Sequence, residues 1–268
     1  MPANPLFLAT AVEAVVRAGA IQLAKFGGEF RVDKKGAIDL VTEVDVEVET
    51  MFRALVAERF PDHQVLAEEM GGAAAAPKGP CWVFDPIDGT TNFAHGLPIF
   101  CASLALEIDG VAEVGAVYDP TRRELFTAER GGGAYLNGRP LGVSSTDRLV
   151  DAVLVTGFPY DVHSRIEEIV GLFARFVGCG RAVRRLGSAA IDLCYIAAGR
   201  MDGFWERDLK PWDIAAGALI VAEAGGRITG MDGRAFASRD GDVLATNGRL
   251  HDDMLRVIAD FKAGRSSS

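Results

Sequence analysis

The sequence is poor in the residues that soft metals and redox chemistry require. It has four cysteines and four histidines in 268 residues, and no CxxC pair. Cys81, Cys101, Cys179 and Cys194 stand singly in apolar surroundings, as buried free thiols do, so a reducing cytoplasm is the expected setting and a disulfide framework is not. Excess positive charge is missing too. With a formal charge of −9 the chain is not expected to bind nucleic acid by bulk attraction, which needs clustered Lys and Arg. The one basic knot, Arg181, Arg184 and Arg185, reads as a solvated surface cluster. The apolar start, PLFLATAVEAVVRAGAIQLAKF, lacks a basic leading region and is interrupted by Glu13 and Arg17. It reads as an amphipathic helix rather than an export signal, with Leu8, Val12, Val15, Gly19, Leu23 and Phe26 on its inner stripe, and no membrane partner is expected.

The composition, 49% hydrophobic and 24% charged, is that of a folded globular chain with a sizeable core, and no internal repeat is visible. Thr42 with Asp45 three positions on forms a capping-box pattern ahead of a second helix that Pro61 ends. HQVLAEEM is a short strand running into two glutamates, and GGAAAAPKGP is a small-residue loop. From Cys81 to about Ser144, short apolar runs separated by Asp-Gly, Asp-Pro, Gly-Gly and Asn-Gly turns predict an antiparallel sheet. Thereafter strands and helices alternate up to a last helix near Leu250 to Phe261, with the tail AGRSSS loose. The expectation is an α/β (α+β sandwich) fold, a layered αβαβα arrangement with an antiparallel sheet in the N-terminal half and a mixed sheet in the C-terminal half. The change of character places a boundary between subdomains 1–145 and 146–268.

Six carboxylates fall at predicted element ends: Asp45, Glu68, Glu69, Asp85, Asp88 and Asp213. In DPIDGTTNF, the proline limits the backbone and Gly89 lets it turn, so Asp85 and Asp88 can face one cavity. Ionised carboxylates forced together must keep a proton or share a cation. An all-oxygen donor set selects Mg2+, Mn2+ or Ca2+ over zinc, and the spacing is not that of an EF-hand. A helix opening at TTNF would turn the amides of Gly89 and Thr90 outward, where phosphate oxygens could bind.

The blocks LVTEVDVEVE, DPIDGTTNF, RRLGSAAIDLCYIAAGRMDGFWE and WDIAAGALIVAEAGG occur in that order and together resemble the inositol monophosphatase family, Mg2+-dependent and lithium-sensitive phosphatases, over nearly the whole chain. The resemblance implies that Glu68, Asp85 and the Ile87 carbonyl hold one magnesium. Asp85, Asp88 and Asp213 would hold a second, with Asp85 shared; two or three ions per site are expected, Mn2+ being an alternative. It makes Asp45, Glu68 and Thr90 catalytic, with Thr90 and Asp45 orienting and deprotonating the attacking water, and gives phosphate binding to Gly89 and Thr90. Gly187, Ser188, Ala189 and Glu206 become substrate-ring contacts, Lys34 the mobile-loop lysine, and a homodimer is expected.

The implied reaction is hydrolysis of a small phosphate monoester, foremost myo-inositol 1-phosphate, by direct attack of water. Fructose 1,6-bisphosphate, histidinol phosphate and 3′-phosphoadenosine phosphate are the alternatives on the same core, and a partner-binding protein that retains the fold is another. A glycosidase also uses paired carboxylates, but without a metal. Simpler readings stand beside these: Asp45 as a helix cap, Asp213 as a dipole-favoured first-turn acid, Lys34 as a solvated charge, and Glu206 paired with Arg207 or Lys210. Two departures from the family pattern, Ala67 and Met70 around Glu68-Glu69 and the charged RDLKP, bear on the turn after the strand and on the entry to the last motif.

Overall fold

Asn4 and Pro5 start the first helix. The Asn4 side chain accepts the N–H of Leu6 at 3.0 Å, and a proline in the first turn has no N–H to leave unpaired. The structure, a computed structural model, describes residues 4–35, 40–72 and 78–266. Along it run α1 (Pro5–Lys25), β1 (Val32–Lys34), β2 (Leu40–Thr42), α2 (Glu43–Arg59), β3 (Gln64–Ala67), β4 (Gly71–Gly72), β5 (Pro80–Asp88), α3 (Thr90–Ala94), β6 (Cys101–Ile108), β7 (Val111–Asp119), β8 (Glu124–Glu129), β9 (Gly133–Leu136) and β10 (Arg139–Pro140). Then follow β11 (Val153–Thr156), α4 (Ile166–Cys179), β12 (Ala182–Arg184), α5 (Ala189–Ala197), β13 (Gly203–Glu206), α6 (Pro211–Glu223), β14 (Arg227–Thr229), β15 (Val243–Thr246) and α7 (His251–Ser266).

Five layers result, as the alternation of elements implied. Helices α1 and α2 cover one face of an eight-stranded sheet ordered β10-β9-β8-β7-β6-β5-β3-β4. Helices α5 and α6 fill the space between its other face and a five-stranded sheet ordered β12-β11-β13-β15-β14. Helices α4 and α7 close the far side. The middle core draws Val83, Val117 and Phe126 from before residue 145 and Val155, Ile191 and Ile220 from after it, so both halves of the chain share it.

Several expectations need correction. The inner stripe of α1 is Thr10, Ala11, Ala14, Val15, Ala18, Gly19 and Gln22, whereas Leu23 is 44% exposed. The reason is distance: a Cβ on Gly19 would lie 2.5 Å from ring carbons of Tyr118, so the helix sits too near β7 for a stripe of large side chains. The N-terminal sheet is mixed rather than antiparallel, because β3 pairs parallel with β5. The charged segment before the second helix contains an antiparallel pair, with Val32 opposite Thr42, so Lys34 ends a strand. Strand β5 runs through the Asp-Pro and Asp-Gly turn signals to Asp88, with a register shift between Asp85 and Asp88. Strand β14 has no counterpart in the prediction, and α7 runs into the tail expected to be loose, to Ser266. Residues 73–77 of the small-residue loop lie outside the described residues.

Candidate active site

The site is built where β5 ends and α2, α3 and α6 begin. The irregular end of β5 supplies Asp85, Ile87 and Asp88, and Gly89 then takes φ +100°, where an added Cβ would lie 2.9 Å from the Ile99 carbonyl oxygen. That turn opens α3, whose first turn has no intrahelical acceptors for the amides of Gly89 and Thr90. Asp45 arrives from the first turn of α2, where Thr42 donates to its Oδ2 through the backbone N–H at 2.7 Å and the hydroxyl at 2.6 Å. Its Oδ1 faces the Thr90 hydroxyl at 3.4 Å, and the same hydroxyl lies 2.9 Å from the Ile87 carbonyl oxygen. Asp45 is thus both a cap and a site-facing acid. Asp213 enters from the first turn of α6, its Oδ2 accepting the Lys210 N–H at 2.7 Å.

A division of labour recurs at three aspartates. Asp85 Oδ1 accepts the Ile87 N–H at 2.9 Å, Asp88 Oδ2 accepts the Ser188 hydroxyl at 2.6 Å and the Ala190 N–H at 2.7 Å, and Asp213 uses Oδ2 alone. No hydrogen bond to the other oxygen of any of the three is recorded among the described residues. Burial raises all three acids: Asp85 goes well above the usual carboxylate range, with Glu68, Asp88 and Asp213 adding repulsion. Asp213 behaves likewise beside Asp88 and Glu68. Asp88 is pushed up to about 6 by burial, against the opposing pull of its Ser188 and Ala190 hydrogen bonds. Burial also lifts Asp45 to about 6, although Thr42 opposes it. These acids feel one another, which places them around one space.

Glu68 and Glu69 meet a lysine that the sequence reading did not single out. Lys35 Nζ donates to Glu68 Oε1 at 2.9 Å and to Glu69 Oε1 at 2.6 Å, while Lys34 is exposed. Burial would lower the Lys35 pKa, yet the two glutamates raise it overall. Glu69 itself is lifted to about 7 by burial, against Lys35. Glu206 forms no ion pair among the described residues; Arg207 bonds to Glu168 instead. It is buried, has no hydrogen-bond donor among the described residues, and is pushed up to about 8 by burial against Arg185. Arg185 lies over the Phe158 ring at 5.8 Å, so one member of the basic knot borders the site.

Several supporting residues escaped the sequence reading. Buried Glu49, one turn after Asp45 on α2, accepts the N–H groups of Glu69 and Met70 at 2.8 and 3.1 Å, fixing the turn that carries Glu68. Gln22, polar on the buried face of α1, donates to the Pro86 carbonyl at 2.7 Å. Asn92 donates to the carbonyls of Ile99 and Leu186, each at 2.8 Å, tying α3 to the turn before α5. Asp192 is buried behind Glu206 and Asp88, with Oδ1 unpartnered among the described residues and its pKa raised by burial. A polar residue on the inner face of a predicted helix was the available signal for Glu49, Gln22 and Asp192.

The donor chemistry suits a hard divalent cation: buried carboxylates, each with one oxygen fixed and, among the described residues, no hydrogen bond recorded to the other, beside a backbone carbonyl and with no thiolate or imidazole in the set. Among the described residues no group of these side chains forms a ready-made metal cage, in keeping with a Glu68 held by Lys35 and with mutual repulsion among the acids.

A layered fold with clustered acids at strand ends, next to a glycine turn that opens a helix, defines the class: a phosphoric monoester hydrolase. The chain belongs to the inositol monophosphatase family, whose model matches residues 5–262. It is 44% identical over 254 residues to an inositol-1-monophosphatase of Synechocystis, covering 94% of this chain and 88% of that protein. It is 40% identical over 258 residues to a protein of Neisseria meningitidis named putative Nus factor SuhB, covering 96% and 98%. The solved inositol monophosphatase of Anabaena superposes with TM-score 0.87 at 40% identity, covering 95% of this chain and 96% of that one. An IMPase/NADP phosphatase solved with Mg2+ and phosphate superposes at 0.80 with 26% identity, covering 90% of each chain.

Proposed function

We propose that this phosphatase hydrolyses a small polyol phosphate, myo-inositol 1-phosphate foremost, with Mg2+ bound by Glu68, Asp85, the Ile87 carbonyl, Asp88 and Asp213. The observation that carries the reading is that the three aspartates each have one oxygen fixed by a protein donor and, among the described residues, no hydrogen bond recorded to the other. When bound, such ions neutralise phosphoryl oxygens, acidify water and stabilise the departing alkoxide. The amides of Gly89 and Thr90 bind phosphate oxygens. Thr90 orients the attacking water and passes its proton toward Asp45, whose Oδ1 is 3.4 Å from the threonine hydroxyl.

Glu206 supports a polyol leaving group. Its buried carboxyl, without a hydrogen-bond donor among the described residues, satisfies its hydrogen-bonding capacity with neighbouring substrate hydroxyls. The four cysteines are free, in keeping with a reducing cytoplasm. Phosphate release from a panel of sugar, polyol, amino-alcohol and nucleotide monoesters, with Mg2+ or EDTA, tests the assignment. The inositol ester should lead, EDTA should abolish turnover, and Asp88→Asn should lower it by orders of magnitude with the fold intact. An undiminished rate in Asp88→Asn or in EDTA ends the metal reading.

A second role draws support from the relative named as a putative Nus factor. If the chain also engages a macromolecular partner, cells carrying only Asp88→Asn keep part of the wild-type phenotype; if catalysis is all, they match a deletion.

A further inference from the structure

Ser188 borders the leaving-group side in sequence, yet its side chain points elsewhere. It is 2% exposed, and its hydroxyl donates to Asp88 Oδ2 at 2.6 Å while accepting the Ile191 N–H at 3.3 Å. Cys101 Sγ stands 3.6 Å from the same hydroxyl and 3.8 Å from Asp88 Oδ2. A serine hydroxyl carries a single proton, and this one is committed to Asp88, so none is left to donate to a substrate. The Ala190 N–H reaches the same carboxylate oxygen at 2.7 Å.

Asp88 lies at the irregular end of β5, past a shift of register, where the sheet alone does not fix its carboxylate. Two donors on Oδ2, the Ser188 hydroxyl and the Ala190 N–H, restrain rotation of the group. The same hydroxyl is also the N-cap of α5. One side chain therefore joins the start of the helix beside the leaving group to a carboxylate of the metal site.

We propose that Ser188 is a positioning residue for Asp88 and not a substrate contact. It acts by holding Oδ2 so that Oδ1 is presented to a divalent ion, and it rests on the metal reading above. Losing a partner of this kind weakens metal affinity by about tenfold or more.

The test is Mn2+ titration, followed by electron paramagnetic resonance, of the wild type, Ser188→Ala, Ser188→Gly and Ser188→Thr, with melting temperatures recorded alongside. Glycine removes the hydroxyl but is tolerated at an N-cap, which separates loss of the cap from loss of the Asp88 contact. Expected are Mn2+ binding weaker by about tenfold or more in the alanine and glycine forms, restoration in the threonine form, and equal proportional loss of kcat on inositol 1-phosphate and p-nitrophenyl phosphate. Unchanged Mn2+ affinity overturns the proposal. With KM raised for the polyol ester alone, that result makes Ser188 a substrate contact; with only a lower melting temperature, it leaves a helix cap. Absence of Mn2+ uptake by the folded wild type overturns the metal reading itself, a different result from uptake that Ser188 does not influence.

Discussion

At Asp85, Asp88 and Asp213 the residue-scale problem is how a buried acid stays available. One oxygen is anchored by a protein donor, from Ile87, from Ser188 and Ala190, or from Lys210, and the other has no hydrogen bond recorded among the described residues. For Asp85 and Asp213 the anchoring donor is a backbone amide of the same turn, whereas Asp88 takes both of its donors from the start of α5, about a hundred residues on. Gly89 makes that turn possible. Gly89→Ala would force a Cβ into φ +100° and to 2.9 Å from the Ile99 carbonyl oxygen. The expected cost is about 1–3 kcal/mol, with reduced turnover, read by urea unfolding and by phosphate release. This much was legible: the proline, glycine and carboxylates of DPIDG are local chemistry. Lys35 was not, because two adjacent lysines look alike until a strand ends after Lys34 and the chain turns toward Glu68.

Among the elements, a helix with a cap in the sequence was legible, as with Thr42 at α2, and so was the short strand β3, whereas β1, β4 and β14 were not. Strands β1, β4 and β14 span 3, 2 and 3 residues, too few for alternation to show, and they form through pairing with β2, β3 and β15. Helix α7 docks through a buried polar contact of its own. His251, fully buried at its start, meets the Thr229 hydroxyl at 2.9 Å and the Thr246 hydroxyl at 3.0 Å. Burial, and then Arg227, lower its pKa to about 4. The unfolded chain takes up this proton near the ordinary value of about 6.5. Stability from neutral His251 is therefore present above that value and lost as pH falls toward about 4, by up to about 3 kcal/mol. In urea titrations at several pH values, His251→Gln should start less stable at neutral pH and lose less between about pH 6.5 and 4 than the wild type.

For the whole molecule, the acid cluster is a burden that a cation removes. Burial raises Asp85 and Asp213 well above their usual range and Asp88 to about 6. In the metal-free protein the unfolded chain gives up these protons first, so stability falls as pH rises through the folded values. A divalent ion favours the ionised forms. Added Mg2+ should thus raise the melting temperature more near pH 8 than near pH 5, and EDTA should reverse it. An increment of equal size at both pH values would mean that these carboxylates are not what the ion binds.

What the sequence determined by itself is what neighbours along the chain can settle: the caps, the turns, the alternation of elements that implies five layers, and the oxygen-rich chemistry of the acids. Only the tertiary structure decided the rest. The small-residue stripe of α1 follows from how closely it lies on β7, the parallel pairing of β3 with β5 from sheet order, and the commitment of Ser188 to Asp88 from two segments a hundred residues apart in the chain meeting at 2.6 Å. Such contacts depend on distances set by the packed layers, and no local pattern of residue types encodes those distances.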